Sequence, residues 1–238
     1  MSSINTLKQW LDESQYTVIF SGAGMSTESG LPDFRSASSG LWNNIDPLKL
    51  ASTNAMINNR EDFVSFYRYR VEQLQKCCPN AGHAIIAEWE NKGKVNAVIT
   101  QNVDGFHHAS GSREVYELHG TLRTSHCSGC RAVYPISRFM ETELPCECGG
   151  FIRPSVLLFG EILSEEALLK ASKATTKAEL FIVLGSSLSV SPANYFAIDA
   201  KDSGAKLVII NMEPTEMDDI ADLVNHNRKI GEVLRELN

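Results

Sequence analysis

Apolar runs alternate along this chain with amphipathic segments, and most of the apolar runs end in small or polar residues. β-branched, largely apolar runs predict strands at 16-YTVIF-20, 94-KVNAVITQN-102, 114-EVYEL-118, 180-LFIVLG-185 and 206-KLVII-210. Helical spacing predicts helices near 4–14, 61–76, 81–93, 164–177, 192–204 and 231–237. Strands that alternate with helices in this way favour an α/β fold with a parallel, doubly wound sheet.

Polar side chains follow several of the predicted strands at the point where each strand ends. They are Gln101, Asn102, Asp104, His119, Ser186, Ser187 and Asn211. In an open parallel sheet the ligand crevice lies beyond the carboxyl ends of the strands, so we expect these residues to line it. A histidine such as His119 can act as a general base there, although an isolated histidine is more often structural, and His107 and His108 have no better claim.

A glycine-rich turn, Gly22-Ala23-Gly24, follows the first predicted strand and should enter a helix. Glycines at this place let the backbone approach a phosphate, and a helix N-terminus offers free N–H donors to an anion. The dinucleotide-binding fingerprint needs a third glycine where this chain has Thr27. The turn alone is equally compatible with a tight strand-to-helix connection that binds nothing.

Four of the six cysteines form two pairs, 127-CSGC-130 and 146-CEC-148, separated by fifteen residues. Two thiolate pairs at this separation can close a tetrahedral zinc site, which would be structural because all four positions are filled. The second pair has one intervening residue instead of two, and His126 borders the site as a substitute ligand. The competing interpretation is packed or redox-active cysteines. Because this segment interrupts the α/β pattern, we interpret it as an inserted module.

Two further segments bear on the binding site. Residues 28–60 are rich in Ser, Asn, Gly and Pro and predict a long functional loop with short helical turns. In the following helix Tyr67 and Arg70 are three positions apart and share a face, where a guanidinium beside a phenol can bind a carboxylate. Taken alone, this segment is more typical of a solvated helix face.

Composition narrows the function classes. The 238 residues carry 22 Lys and Arg against 29 Asp and Glu, a net charge of −7, which argues against nucleic acid as a partner. The apolar runs are too short to cross a membrane. The first ten residues do not have the pattern of a signal peptide, and six cysteines without one indicate a reducing, cytoplasmic location.

Together these segments resemble the sirtuins, the NAD-dependent protein deacylases, along nearly the whole chain. The matching stretches are 22-GAGMSTESGLPDFR-35, 100-TQNVDGFH-107, 118-LHG-120, the two cysteine pairs, 152-IRPSVLLFGE-161, 185-GSSLSV-190 and 210-IN-211. The resemblance implies a Rossmann-like NAD-binding domain built from residues 1–36, 81–122 and 153–238. It also implies a small helical and zinc-binding module built from residues 37–80 and 123–152.

The resemblance assigns a role to individual residues. It implies NAD contacts from the loop and the sheet edge by Ala23, Thr27, Phe34, Arg35, Gln101, Asn102, Val103, Asp104, Ser186, Ser187, Asn211 and Ile230. Zinc would be held by Cys127, Cys130, Cys146 and Cys148. His119 would be the general base that deprotonates a ribose hydroxyl, with release of nicotinamide and O-acyl-ADP-ribose. At Val103 the family more often has isoleucine.

The resemblance also implies the substrate, an acylated lysine of a protein. In class III sirtuins an alanine on the early loop is followed by a tyrosine and an arginine that accept succinyl- or malonyl-lysine. This chain has Ala51, Tyr67 and Arg70 at the same spacing. We therefore expect desuccinylase and demalonylase activity alongside deacetylation.

Three alternatives differ in their predicted chemistry. A hydride-transferring oxidoreductase is disfavoured by the missing third glycine and by the lack of a ribose-binding acidic residue. A zinc-ribbon module that binds nucleic acid is disfavoured by the net charge and by the absence of a basic cluster around Cys127 to Cys148. Mono-ADP-ribosyl transfer on the same scaffold would instead leave an ADP-ribosyl adduct on the target. The oligomeric state does not follow from the sequence.

Overall fold

The computed structural model describes residues 3–34, 46–141 and 145–238. Its larger sheet has six strands, all parallel, in the order β3-β2-β1-β7-β8-β9. The strands are β1 (Thr17–Ser21), β2 (Ala97–Thr100), β3 (Val115–Glu117), β7 (Leu180–Leu184), β8 (Lys206–Ile210) and β9 (Leu223–Asn225). This order reverses between β1 and β7, and in doubly wound sheets ligands bind at such a reversal.

Every residue of β1, β2 and β7 is buried. Central strands of a parallel sheet have helices on both faces, which is why these segments read as continuous apolar runs without alternation. Side chains that alternate along each strand therefore enter two separate cores, as Val18 and Ile19 do.

Helices cover both faces of this sheet. The α-helices of the described residues, which include those that pack on the small sheet, are α1 (Ser3–Glu13), α2 (Pro47–Leu50), α3 (Thr53–Asn58), α4 (Arg60–Gln75), α5 (Ala81–Asn91), α6 (Phe106–Ala109), α7 (Ser137–Glu141), α8 (Glu165–Lys177), α9 (Tyr195–Asp202) and α10 (Ile230–Leu237). On one face α8 and α9 contribute small residues such as Ala171 and Ala197, which bring the helices close to the strands. On the other, α1, α5 and α10 contribute larger residues such as Trp89 and Leu234.

A second, antiparallel sheet of three strands lies outside the α/β pattern, in the order β5-β4-β6. Its strands are β4 (Gly120–Cys127), β5 (Val133–Pro135) and β6 (Ile152–Val156). A third core joins this sheet to the helices α3, α4 and α7, with Phe63, Tyr67, Phe139 and Val156 buried in it. The cysteine-containing segment is thus built on β4 and β6, next to the large sheet.

The predicted fold class is confirmed, while several local predictions need correction. The turn after β1 continues into a 3-10 helix, Ala23–Ser29, and not into an α-helix. Within residues 46–60, where we expected a loop with short helical turns, the short helices α2 and α3 agree with that expectation and have their own N-caps, Asp46 and Ser52. The strands β4, β5, β6 and β9 are not among the predicted strands. Among the described residues, no helix combines the length and apolar character needed to span a bilayer.

Candidate active site and metal centre

A cavity of about 840 Å³ opens at the carboxyl ends of the large sheet and extends to the small sheet. It gathers most of the predicted site residues. Its lining includes Ala23, Thr27, Phe34, Ala51, Tyr67, Arg70, Gln101, Asn102, Val103, Asp104, His119, Ser186, Ser187, Asn211 and Ile230. Arg35, also predicted, lies outside the described residues. The same cavity is lined by Ser26, Glu28, Phe159 and Glu213, which the sequence analysis did not assign.

The glycine turn packs closely against the turn that follows β7. The N–H groups of Gly22 and Gly24 donate to the carbonyls of Leu184 and Gly185, at 3.0 and 2.9 Å, so neither is free for an anion. A Cβ at Gly22 would lie 2.6 Å from the Gly185 oxygen, and one at Gly24 would lie 2.8 Å from the Gly185 Cα. The glycines therefore allow the turns after β1 and β7 to pack backbone against backbone at the sheet's reversal point.

His119, just before β4, faces the end of β2. Its Nδ1 lies 3.1 Å from the backbone oxygen of Gln101, which can only accept a hydrogen bond. Nδ1 therefore carries the proton, and Nε2 carries the lone pair that a general base needs. The backbone oxygen of His119 accepts from the N–H of Leu157 at 2.8 Å, which fixes the residue from the other side.

Gln101 has one side-chain donor that no described residue uses. Its Oε1 accepts from the Ser186 hydroxyl at 2.9 Å. Its Nε2 is buried and has no hydrogen-bond partner among the described residues. Since an unpaired buried donor is costly, this nitrogen is a candidate contact for a ligand with an acceptor oxygen in the cavity.

Asn102 and Asp104 hold the 3-10 helix against the end of β2. Asn102 Nδ2 donates to the Gly22 oxygen at 2.9 Å, and Ser26 Oγ donates to Asp104 Oδ2 at 2.7 Å. Burial raises the pKa of Asp104, while the Phe106 N–H, the Ser26 hydroxyl and the nearby Arg70 oppose this rise. The two residues thus link the loop carrying Ala23 and Thr27 to the strand edge.

The far end of the cavity is formed by the segments after β7 and β8. The Ser187 and Ser189 hydroxyl oxygens are 2.8 Å apart, and Asn211 Nδ2 donates to the Glu213 backbone oxygen at 2.7 Å. Ile230 is buried at the start of α10. Glu28, from the 3-10 helix, accepts from the next backbone N–H of α10 at 2.7 Å and so connects the two walls.

Tyr67 and Arg70 meet at the end of the cavity nearest the small sheet. Tyr67 is 2% exposed, and its burial raises its pKa to about 12 against the opposing effect of Arg70. The Arg70 guanidinium lies over the rings of Phe34, Phe66 and Tyr67, with its carbon 5.1 to 5.9 Å from their centroids. The solvated-face interpretation of this helix segment is therefore wrong for Tyr67, while Arg70 is half-buried and lines the cavity.

Arg70 has no ion pair among the described residues. Burial lowers its pKa, and the Coulombic effects of Tyr67 and Asp104 oppose this shift. Ala51, which lines the same cavity, is a small side chain whose backbone oxygen accepts from the Phe159 N–H at 2.9 Å. This end of the cavity is therefore lined by a cation, a phenol and a small side chain.

The four predicted zinc ligands come together outside this cavity. The sulfur atoms of Cys127, Cys130, Cys146 and Cys148 all lie within 4.8 Å of one another. The N–H groups of Gly129 and Cys130 approach Cys127 Sγ at 3.3 and 3.5 Å, an arrangement that stabilises thiolate. Four thiolates at this spacing fit tetrahedral zinc, and none lines the cavity, so the metal would be structural.

The second cysteine pair, Cys146 and Cys148, has one intervening residue fewer than the first, and Gly150 allows the shorter turn to fit against the first pair. Cys146 N–H donates to the Gly150 oxygen at 2.9 Å, which closes the turn. A Cβ on Gly150 would lie 2.5 Å from Cys127 Sγ, so only glycine lets the two pairs approach this closely. His126 is not part of the cluster; its Nδ1 faces the Ser155 hydroxyl at 3.3 Å.

A family model and a curated protein both match most of this chain. A model of the Sir2 family matches residues 22–192. The "NAD-dependent protein deacetylase 1" of Geobacillus kaustophilus (strain HTA426) is 57% identical over 98% of this chain and 96% of its own length.

Solved structures agree with this result. A Sir2 complex with a p53 peptide and NAD+ superposes with a TM-score of 0.88 at 36% identity, covering 100% of this chain and 97% of that one. A second Sir2 structure, with deacetylated p53 peptide and 3'-O-acetyl-ADP-ribose, has a TM-score of 0.91 at 35% identity, with 98% and 96% covered.

Proposed function

Because this chain belongs to the Sir2 family, we propose that it removes acyl groups from lysine side chains of proteins, with NAD as co-substrate. The products would be the free lysine, nicotinamide and O-acyl-ADP-ribose. The relatives support this proposal, since they are deacetylases and their complexes contain NAD+ and acetyl-ADP-ribose.

The observation that carries the proposal is the pairing of His119 with Gln101 on the cavity wall. The backbone carbonyl of Gln101 fixes the tautomer of His119, and the side chain of Gln101 offers an unpaired buried N–H a few bonds away. One residue thus orients a base and presents a donor to the same cavity, which suits a substrate with both a hydroxyl to deprotonate and an amide or carbonyl to hold.

NAD fits the remaining residues of the cavity by size and by chemistry. About 840 Å³ is in the range of pockets that enclose ligands of this size. Bound NAD would supply a ribose carbon with nicotinamide as leaving group and hydroxyls that accept the acyl group. Asn102 and Asp104 would keep the walls of the nicotinamide end closed, while Ser187, Asn211 and Ile230 would border the adenosine end.

His119 would remove a proton from ribose through Nε2, while Nδ1–H stays bound to the Gln101 carbonyl. The oxygen that would attack the ribose carbon, with loss of nicotinamide, is the amide oxygen of the acylated lysine. An amide oxygen is a weak nucleophile, so the protein must hold the two reactants at close range and exclude water. The buried wall formed by Leu122, Val156 and Leu158 provides an apolar surface for this purpose. Zinc would contribute no chemistry to this step.

We further propose that the acyl pocket accepts succinyl- and malonyl-lysine. A distal carboxylate on the acyl chain would pair with Arg70, whose charge has no ion-pair partner among the described residues, and with the Tyr67 hydroxyl. Burial strengthens such a pair, because fewer water molecules compete for either charge. Ala51 would leave room for the longer chain.

The test compares acetyl-, malonyl- and succinyl-lysine peptides of one sequence, with and without NAD, by following nicotinamide release. Arg70→Met should lower kcat/KM for the two acidic acyl groups by roughly 10- to 150-fold, the equivalent of about 1.5–3 kcal/mol for a hydrogen bond to a charged group. Acetyl-lysine turnover should change much less.

Arg68→Met is the matched control, because Arg68 lies on the same helix but donates to the Phe139 carbonyl and does not line the cavity. Equal losses for all three peptides in Arg70→Met would contradict the carboxylate assignment. Release of nicotinamide without any peptide dependence would contradict the deacylase proposal itself.

A further inference from the structure

His226 joins two segments at the adenosine end of the cleft. It follows β9, and its Nδ1 lies 2.9 Å from the backbone oxygen of Asn211. Its Nε2 lies 2.8 Å from Asp218 Oδ2. Both ring nitrogens therefore face atoms that only accept hydrogen bonds.

This geometry requires two protons on the ring. A neutral imidazole carries one N–H, so in that form one of the two contacts would set a nitrogen lone pair against an oxygen. Only the imidazolium donates in both directions. Burial of the ring lowers the pKa of His226, but the Asn211 carbonyl and the Asp218 carboxylate together raise it above its ordinary value.

Asp218 is the described charged group that acts on the ring. Of the other nearby charges, Arg228 pairs with Glu236 and Asp222 pairs with Lys201, while the exposed Glu216 and Asp219 and the adjacent Lys229 exert no resolved effect on the ring. The Asp218 carboxylate also accepts from the Thr215 hydroxyl at 2.7 Å and from the Thr215 N–H at 3.1 Å.

The segment 211–218, which is held by the hydrogen bonds of His226 and Asp218, forms part of the wall of the cleft. Asn211, Met212 and Glu213 line the cavity, and the segment returns at Thr215 to the Asp218 carboxylate. Two backbone hydrogen bonds, Asn211 N–H to Asn225 O at 3.1 Å and Asn227 N–H to Met212 O at 3.2 Å, tie it to the residues on either side of His226. His226 supplies the side-chain part of the same attachment.

We propose that doubly protonated His226 is a positioning residue that holds the segment 211–218 in the shape that receives the adenosine half of the dinucleotide. Loss of one ring proton removes one of its two hydrogen bonds and loosens that wall. The inference rests on the proposed use of NAD and adds that dinucleotide affinity falls as the pH rises through neutrality.

The direction of this pH dependence follows from the linkage between proton binding and the stability of the segment. A group whose pKa is raised in the structured state stabilises that state below its pKa and loses the effect as the pH rises through it. One hydrogen bond corresponds to roughly a threefold to tenfold change in affinity. The chemical step uses His119, so kcat at saturating NAD should not depend on His226.

The experiment titrates the purified protein with ADP-ribose by calorimetry from about pH 6 to about pH 8.5. The wild-type Kd should rise roughly threefold to tenfold with pH, and buffers of different ionisation enthalpy should reveal proton uptake on binding. His226→Gln should bind weakly and without this pH dependence. Its KM for NAD should be raised, with kcat and the pH profile of kcat unchanged.

Two further variants make the result interpretable. His108→Gln, at a histidine outside the cavity lining, should behave as wild type. Asp218→Asn removes the carboxylate but leaves the ring, so it should flatten the pH dependence of Kd even if His226→Gln folds poorly.

Two results would overturn the inference. A His226→Gln protein that keeps the wild-type pH dependence, or a wild-type Kd that does not change with pH, would contradict this inference alone. Absence of ADP-ribose binding at every pH would contradict the proposed function and this inference with it.

Discussion

The six-stranded sheet and the cysteine module, by which we mean residues 123–141 and 145–152, are stabilised by different interactions. The sheet buries complete strands between two helix layers, and Ile182 and Val208 at its centre have no exposed area. Among the described residues, the core around the cysteines consists of Cys127, Cys146 and Ile152, with Tyr134 partly buried against them, while Phe139 packs into the separate core shared with α4. Apolar burial suffices for the large sheet, whereas we expect the region around the cysteines to need metal coordination as well.

The two regions meet at His119. β2 of the large sheet orients the imidazole through Gln101, and Gly120, the next residue, begins β4 of the small sheet. A Cβ on Gly120 would lie 2.2 Å from the Ser155 oxygen, so the chain at this point is packed directly against β6. Changes in the metal site should therefore reach His119, the proposed general base, through β4 and β6.

Removal of the metal should have the largest effect. Chelation, or Cys127→Ser, should unfold the β4–β5 region and abolish deacylation, because coordination supplies most of the folding free energy of such modules. Hydrogen exchange should show loss of protection in β4 to β6 and retained protection in β1 and β7.

Cys78→Ser is the control, since Cys78 is exposed and outside the cluster, and it should keep both metal and activity. Unchanged protection in β4 after complete metal removal would contradict the distinction between the two regions.

His119→Ala should lower kcat by roughly 10²- to 10⁴-fold, the usual contribution of a general base. Metal content and protection of both sheets should stay at wild-type levels, because the two regions keep their own cores. His108→Ala serves as the comparison and should retain activity. Turnover by His119→Ala close to that of wild type would mean that another group removes the proton.

Tyr134→Phe should have the smallest effect of the three. The Tyr134 hydroxyl lies 3.1 Å from Cys146 Sγ and can donate to the thiolate. Loss of such a hydrogen bond beside a metal ligand typically costs about tenfold in metal affinity. Competition with a chelating dye would measure the change.

Tyr69→Phe, at an exposed tyrosine outside the module, should bind metal as wild type does. Identical affinities in the two variants would show that the hydroxyl does not support the site.

Much of the large sheet could be predicted from the chain alone. Runs such as 180–184 and 207–210 are apolar throughout, which is the pattern of strands buried on both faces. The three strands of the small sheet and β9 were not predicted. β6 contains Pro154, which is unusual within a strand, and β9 has three residues, too few for a periodic signal.

The site could be predicted in part. The motif resemblance pointed to His119 and to the four cysteines, whose types and spacing carry the signal. Glu28 and His226 were not found, because each acts through a backbone group distant in sequence: Glu28 through Gly231, and His226 through Asn211. The sequence around Glu28 and His226 has neither a periodic pattern nor a characteristic spacing that would predict such contacts.

The sequence by itself determined the α/β class, the family resemblance and the residue types available for chemistry, because strand burial and ligand spacing are local properties of the chain. Only the tertiary structure decided that Arg70 lies over aromatic rings in the cavity, that Gly22 and Gly24 serve backbone packing, and that His226 bridges two acceptors. These outcomes depend on which segments meet in space. Distant segments are brought together by the packing of the whole core, which no local pattern records.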